Sequence, residues 1–173
     1  MKQTSFWKNP KKTHGGSDAK GRRKVARPIV TKSPMHFTFK ATRARGAWSF
    51  HRFDKSIAEK VHALGKKYRV KIRRFQNVGN HLHVVAQAAT RRELQNFLRA
   101  VPQAIAFLVT GARRGNAVGR FWDGLVHSRI VHWGRDWRTM RHYIEKNQME
   151  AAGVPRQWAD DFYKEIRNAW RDG

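Results

Sequence analysis

The fold is decided by the stretch VKIRRFQNVGNHLHVVA, residues 70–86. Two runs rich in β-branched and aromatic residues flank Gly79 and Asn80, a pair of residues typical of a tight hairpin turn. Side chains two apart on a strand share a face, so His81 and His83 project together while the leucine between them faces the core. The stretch therefore predicts an antiparallel hairpin whose returning strand presents two imidazoles side by side.

The segments around this hairpin alternate between strand and helix patterns. Asp54 and Thr90 are predicted to begin amphipathic helices, and Pro102 marks a kink or a break in the second. The predicted elements are strands over about 35–41, 70–78, 81–86 and 125–132 and helices over about 54–68, 90–108, 138–151 and 155–170. Their order predicts the α+β class, with a ferredoxin-like or RRM-like antiparallel sheet and helices packed on one face.

The length of 173 residues and the 40% hydrophobic content favour one domain with a substantial core. We expect this domain to span residues 34–153, followed by a C-terminal helix in 154–173. Residues 1–33 carry ten lysines and arginines against one acid, Asp18. Such a composition predicts a basic arm that is disordered when unbound, and that either contacts phosphates or only keeps the protein soluble.

The formal charge of +25 favours an anionic polymer as the partner. Nucleic acid is favoured over a membrane because the basic residues run through every segment instead of lying opposite one apolar face. No run approaches the roughly 18 apolar residues of a helix that spans a membrane. We therefore expect a cytoplasmic, nucleoid-associated protein that does not bind a membrane and has no small-molecule cofactor. The absence of cysteine excludes disulfides and thiolate metal sites.

A second pattern lies far along the chain, where Tyr143 and Asn147 are four residues apart and therefore on one face of a predicted helix. Two neutral imidazoles such as His81 and His83 can share a divalent cation, although paired histidines on a basic protein also face solvent or phosphate. A tyrosine can attack a phosphodiester that a metal polarises, and an amide carbonyl is a hard oxygen ligand. Tyr143 can equally be a half-buried residue that packs against the hydrophobic core.

Two segments resemble a known family. GNHLHVV, residues 79–85, is similar to the His-hydrophobic-His motif of HUH single-strand endonucleases. FWDGLVHSRIV, 121–131, followed by YIEKNQMEAAG, 143–153, is similar to the segment around the nucleophilic tyrosine of single-tyrosine transposases. The resemblance runs from about His36 to Gly153 and is greatest to the REP-associated tyrosine transposases.

The resemblance implies a fold of the HUH endonuclease type and a metal-dependent single-stranded DNA endonuclease and strand transferase. His81, His83 and Asn147 would bind Mg²⁺ or Mn²⁺, and Tyr143 would form a 5′-phosphotyrosine link and release a 3′-hydroxyl. The implied partner is hairpin or palindromic repeat DNA. The chain departs from the family at Asn147, where insertion-sequence members carry glutamine, and at Gln148, where REP-associated members carry proline.

Single-stranded DNA binding needs a basic track and aromatic platforms. The candidate contacts are Arg73, Arg74, Arg113, Arg114, Arg120, Arg135, Arg138 and Trp133. Arg73 and Arg74 could either contact DNA phosphates or belong to a solvated face. Trp133 could either stack on a base or pack against the protein itself.

Two alternatives to a monomeric or homodimeric transposase-like enzyme remain. The first is a non-catalytic, domesticated DNA- or RNA-binding module on the same sheet. The second is a basic RNA-binding or ribosome-associated protein. Such a function would not explain why the histidine pair and the tyrosine occur in one chain.

Overall fold

The computed structural model describes residues 13–16, 25–113, 115 and 118–169, with side chains up to residue 162. Its elements are β1 (Thr13–His14), β2 (Met35–Lys40), α1 (Asp54–Lys67), β3 (Val70–Asn77), β4 (His81–Ala88), α2 (Arg91–Thr110), β5 (His127–Ile130), α3 (Arg135–Ala151) and α4 (Arg156–Ala169). Within the described residues, no helix is both long and apolar enough to cross a membrane.

The five strands form one sheet in the order β1-β5-β2-β4-β3, with every neighbouring pair antiparallel. The predicted hairpin is present, because β3 and β4 pair on either side of the turn at Gly79 and Asn80. β2 lies at the centre and pairs with β4 on one side and β5 on the other. Thr38 of β2 is thus opposite His83 and also opposite His127.

Apolar clusters lie on both faces of the sheet. On one face, Phe37 and Val84 are fully buried in the main core, which includes residues of α1 and α2. On the other face, Val85 packs with Met140 and Ile144 of α3. The predicted α+β antiparallel sheet is confirmed, and α1 and α2 share one face as expected. The third helix differs, since its apolar stripe covers the opposite face and brings Tyr143 to that side.

The helix starts follow local side-chain chemistry. Thr90 caps α2 as predicted: its hydroxyl accepts from the Glu93 N–H, and the Glu93 carboxylate accepts from the Thr90 N–H. This capping box satisfies two backbone donors at once. Asp54 is instead the first residue of α1, where its carboxylate accepts from Asn77 Nδ2. Pro102 lies inside α2 without ending it.

Part of the predicted basic arm lies against the sheet. Thr13 and His14 pair with the outer edge of β5. Arg27 donates from Nη2 to the Val126 carbonyl at 2.8 Å. The disorder predicted for residues 1–33 as a whole, and the boundaries at 34 and 153, remain predictions. At the other end, α4 occupies most of 154–173 and is joined to α3 by the Lys146–Asp160 ion pair.

The turn that precedes β4 is held by Asn77. Its buried side chain donates from Nδ2 to the Phe50 carbonyl at 2.9 Å and to Asp54 at 2.8 Å, and its Oδ1 accepts from the Gly79 N–H at 3.0 Å. Gly79 has a φ of 88°, a backbone conformation that residues with a Cβ atom rarely adopt. The start of β4, and therefore His81, is fixed by this network.

Asn77→Ala is expected to lower the free energy of unfolding by about 2–3 kcal/mol, because it removes three hydrogen bonds and leaves buried backbone groups unpaired. Urea denaturation measures this. Asn96→Ala, at a half-buried helical position of α2, serves as the control and should change stability by less than about 0.5 kcal/mol. Equal stability of Asn77→Ala and the parent protein would show that the network does not hold the turn.

Candidate active site

One face of the sheet carries imidazoles on three strands. His83 and His127 flank Thr38 from opposite sides. His36 lies two residues before Thr38, and His81 two residues before His83, so all four imidazoles share this face. It is also the face on which α3 packs. The sheet register therefore assembles a histidine cluster beneath the helix that carries Tyr143.

The centre of this cluster is a buried contact between His36 and His83. Nε2 of His36 lies 2.9 Å from Nδ1 of His83, and the two rings stack with centroids 5.1 Å apart and planes inclined by 16°. The side chains are almost inaccessible, at 4% and 2% exposure. Nε2 of His83 is also buried and has no hydrogen-bond partner among the described residues.

His81 is half-buried at the start of β4 and is oriented by the turn that precedes it. Its Nδ1 lies 2.7 Å from Oδ1 of Asn80, and since an amide oxygen only accepts, the imidazole donates. The rings of His81 and His83 meet edge to face with centroids 4.8 Å apart. The structure thus brings the two predicted metal ligands together on one face.

Tyr143 of α3 lies over the histidines within the same chain. Its ring meets His83 edge to face at a centroid distance of 5.7 Å and an angle of 87°, and it meets His36 at 6.2 Å and 77°. The side chain is 40% exposed, so the phenol is accessible from solvent. Tyr143 and the histidine pair therefore meet without a second copy of the protein.

Asn147 lies one helical turn after Tyr143, as the spacing predicts, but its side chain is turned along its own helix. Nδ2 donates to the Tyr143 carbonyl at 2.7 Å. The amide oxygen would be the metal ligand, and its role remains a prediction. The next residue, Gln148, is exposed and points about 100° further round the helix.

Burial keeps the central imidazoles neutral. Burial, with smaller effects from His81 and His127, lowers the pKa of His83 from 6.5 to about 3. The pKa of His36 lies well below its ordinary value because of burial first and the nearby His83 second. Burial and then Lys40 lower the pKa of His81. At pH 7 the three rings are therefore uncharged, the state in which a ring nitrogen can ligate a metal.

Without metal, the protein is expected to lose stability as the pH falls from 6.5 towards 3, the interval between the unfolded and folded pKa values of His83. In this interval the unfolded chain binds protons that the folded chain does not, so acid favours unfolding. At about 1.4 kcal/mol per pKa unit, His83 contributes roughly 3 kcal/mol to the loss between pH 7 and pH 4.

Urea titrations at the two pH values test this expectation. His83→Gln should make the free energy of unfolding less dependent on pH, because glutamine does not titrate, while His36 and His81 retain lowered pKa values. Asn96→Ala, which removes no titratable group from α2, should leave the parent slope unchanged. The same slope in His83→Gln as in the parent would contradict the assignment of acid sensitivity to this buried ring.

Comparison with known proteins defines the fold. No protein-family model and no curated protein matches the sequence. Among solved structures, the chain is similar to a REP-associated tyrosine transposase bound to a REP hairpin. The two sequences are 11% identical and the TM-score is 0.56, and the match covers 77% of this chain and 76% of that chain. The chain has the fold of a REP-associated tyrosine transposase. A candidate transposase from Deinococcus radiodurans R1 matches with 11% identity, a TM-score of 0.45, and coverage of 73% and 98%.

The tyrosine transposase fold raises the question of whether the site can hold a metal ion. Within the described ranges, no group of three His, Cys, Asp or Glu side chains is placed to do so. The two neutral imidazoles of His81 and His83 nevertheless fit as ligands, because the described part of the chain offers no hydrogen-bond partner to the buried Nε2 of His83. Oxygens of water, Asn147 or a DNA phosphate would complete the shell, as is usual for Mg²⁺ and Mn²⁺.

Arg73 and Trp133 extend the same face of the transposase fold away from the histidines. Half-buried Arg73 donates to Gln87 at 2.9 Å and lies over the Trp133 ring at 5.3 Å. Trp133 is 48% exposed. Gln87 is four residues after His83 on the same strand face, or about 13 Å along β4. The indole and the guanidinium therefore form one polar and aromatic platform beside the histidine site.

The other predicted DNA contacts are dispersed. Arg120 is exposed, but its guanidinium donates to the carbonyls of Trp122 and Asp123 and so supports its own loop. Arg114 lies outside the described residues. The remaining arginines are exposed: Arg74, Arg113, Arg135 and Arg138. All of these DNA contacts remain predictions.

Two residues of the cluster were missed from the sequence, His36 and His127. The alternation in MHFTFK, residues 35–40, places His36 on the face opposite Phe37 and Phe39. That signal could have located His36 on a polar face. It could not have shown which strand pairs with β2, and the contact with His83 depends on that pairing.

Proposed function

We propose that this protein is a metal-dependent single-stranded DNA endonuclease and strand transferase that acts through a 5′-phosphotyrosine intermediate. The observation that carries the proposal is the position of the Tyr143 ring, against His83 and His36 and within one chain. A tyrosine can act as a nucleophile on a phosphodiester, and two neutral imidazoles can hold a cation that polarises the phosphate.

In the proposed reaction, the Tyr143 oxygen attacks the scissile phosphorus, and the O3′ atom of the preceding nucleotide leaves and takes a proton from solvent to become a 3′-hydroxyl. The phenol proton passes to solvent, to which the side chain is 40% exposed. His81 and His83 would hold a divalent cation, which supplies charge neutralisation at the phosphate when it is bound. The P–O bond to tyrosine conserves the energy of the broken bond, so attack by a 3′-hydroxyl reverses the step and joins strands.

Hairpin DNA is the proposed substrate. The structural neighbour with the same fold is bound to a REP hairpin, and the net charge of +25 favours a phosphate backbone. The platform formed by Arg73 and Trp133 offers a cation and an exposed ring on the histidine face. Such a pair suits an unpaired base and its phosphate, since base stacking on an aromatic ring is sequence-tolerant.

The test is cleavage of an end-labelled single strand that carries a REP-type hairpin. With Mn²⁺ we expect a shortened labelled strand and a DNA species that migrates with the protein on a denaturing gel. EDTA should remove both products, and re-addition of Mn²⁺ should restore them. A strand that stays intact with Mn²⁺ and Mg²⁺, although the protein binds it, would overturn the proposal.

A non-catalytic DNA- or RNA-binding module is the second candidate. It is favoured by the absence of a three-ligand metal cluster within the described part of the chain and by the Asn147 amide, which bonds to the helix backbone. This candidate predicts hairpin binding that EDTA does not change. Its affinity would fall steeply with salt, as binding through phosphates does.

A further inference from the structure

The buried contact between His36 and His83 leaves one question of chemistry open, namely which ring carries the shared proton. Nε2 of His36 and Nδ1 of His83 are 2.9 Å apart, so one nitrogen donates and the other accepts. If His36 donates, neutral His83 carries its proton on Nε2. If His83 donates, its Nε2 carries a lone pair. The two arrangements differ in what His83 presents to the active site.

The surroundings of Nε2 in His83 decide between the two arrangements. This atom is buried without a hydrogen-bond partner among the described residues. A buried N–H without an acceptor is rare in folded proteins, and a cation bound in the site would satisfy a lone pair at this position but not an N–H. The arrangement in which His83 donates from Nδ1 therefore fits the structure better, and it leaves a lone pair on Nε2.

His81 reaches the same state by a separate contact. Its Nδ1 donates to Oδ1 of Asn80 at 2.7 Å, which leaves the lone pair on Nε2. Both imidazoles of the pair are thus held by an acceptor at Nδ1, one on the neighbouring strand and one in the turn. Ligand histidines of metal sites are commonly fixed in this way by a partner at the other ring nitrogen.

We propose that His36 is a positioning residue that holds His83 as the Nδ1–H tautomer. The Nε2 atom of His83 then carries a lone pair that can bind a ligand. The inference deepens the proposed function and rests on it for the identity of the ligand, a divalent cation. His36 itself touches neither the cation nor the DNA. Removal of such a partner typically weakens metal affinity about 10- to 100-fold.

Two substitutions at His36 separate positioning from packing. His36→Gln places an amide oxygen near the position of Nε2 and can still accept from His83, whereas His36→Leu fills the space without an acceptor. His62→Leu removes an exposed imidazole on α1 and serves as the control. Thermal unfolding of each variant establishes that it is folded.

The first readout is the ring tautomer in the metal-free protein, from long-range ¹H–¹⁵N spectra of ¹⁵N-histidine at pH 7.5. We expect the Nδ1–H form for His83 in the parent, His36→Gln and His62→Leu, and its loss in His36→Leu. The second readout is the Kd for Mn²⁺ by calorimetry, expected to rise about 10- to 100-fold in His36→Leu and to be restored by glutamine.

The Nε2–H form of His83 in the parent would overturn the inference without any variant. An unchanged tautomer and unchanged Mn²⁺ affinity in folded His36→Leu would overturn it as well. Failure of the proposed function gives a different pattern: the Nδ1–H form and the effect of His36 on Mn²⁺ affinity would persist, while the hairpin strand would stay uncut.

Discussion

Tyr143→Phe is expected to abolish cleavage of the hairpin strand and to leave its binding unchanged. The substitution removes only the phenol oxygen, so the ring keeps its edge-to-face contacts with His83 and His36. Loss of a nucleophile lowers the rate of covalent catalysis by at least about 10³-fold. The measurement compares cleavage rates and the Kd for the hairpin in the same buffer with Mn²⁺.

Tyr68→Phe is the matched control, because Tyr68 lies at the C-terminal end of α1 and packs against the main core. It should cleave at the parent rate. Parent-like cleavage by Tyr143→Phe would mean that another group attacks the phosphate. Loss of both binding and cleavage would assign Tyr143 to DNA contact instead of chemistry.

His81→Ala has the second largest expected effect. The half-buried ring can be removed with little loss of core packing, and its neighbour His83 keeps its contact with His36. Removal of an outer-shell partner alone weakens metal affinity about 10- to 100-fold, and loss of one of the two imidazole ligands should lower the Mn²⁺ affinity at least as much. Cleavage at low Mn²⁺ concentration should fall accordingly, and high Mn²⁺ should restore part of it.

His62→Ala is the control for His81→Ala, since it deletes an exposed imidazole of α1. Calorimetric titration with Mn²⁺ and cleavage rates at several Mn²⁺ concentrations give the two measurements. Unchanged Mn²⁺ affinity in His81→Ala would exclude this ring as a ligand. Such a result would favour the alternative in which the histidine pair contacts phosphate directly.

The hairpin and the helices could be predicted because their signals are local. Gly79 and Asn80 between two β-rich runs specify β3 and β4, and Thr90 with Glu93 specifies the start of α2. Strand periodicity likewise placed His81 and His83 on one face. The pairing of β2 with β4 could not be predicted in this way, since it depends on which strands bury their apolar faces together.

The site required information that no single segment holds. The spacing of Tyr143 and Asn147 predicted a shared helix face, but only the packing of Met140 and Ile144 on Val85 places α3 over the histidines. Thr13 and His14 form an edge strand although their sequence has no strand pattern, because the exposed edge of β5 provides backbone partners. In both cases long-range packing decided what local propensity left open.

Mass spectrometry of the protein–DNA adduct tests whether Tyr143 becomes covalently linked to DNA. After incubation with the hairpin strand and Mn²⁺, nuclease and protease digestion should leave a short 5′-phosphorylated nucleotide fragment on the peptide that contains Tyr143. We expect fragmentation to assign the added mass to this tyrosine. An adduct on a different residue, or cleavage with no adduct under trapping conditions, would contradict it.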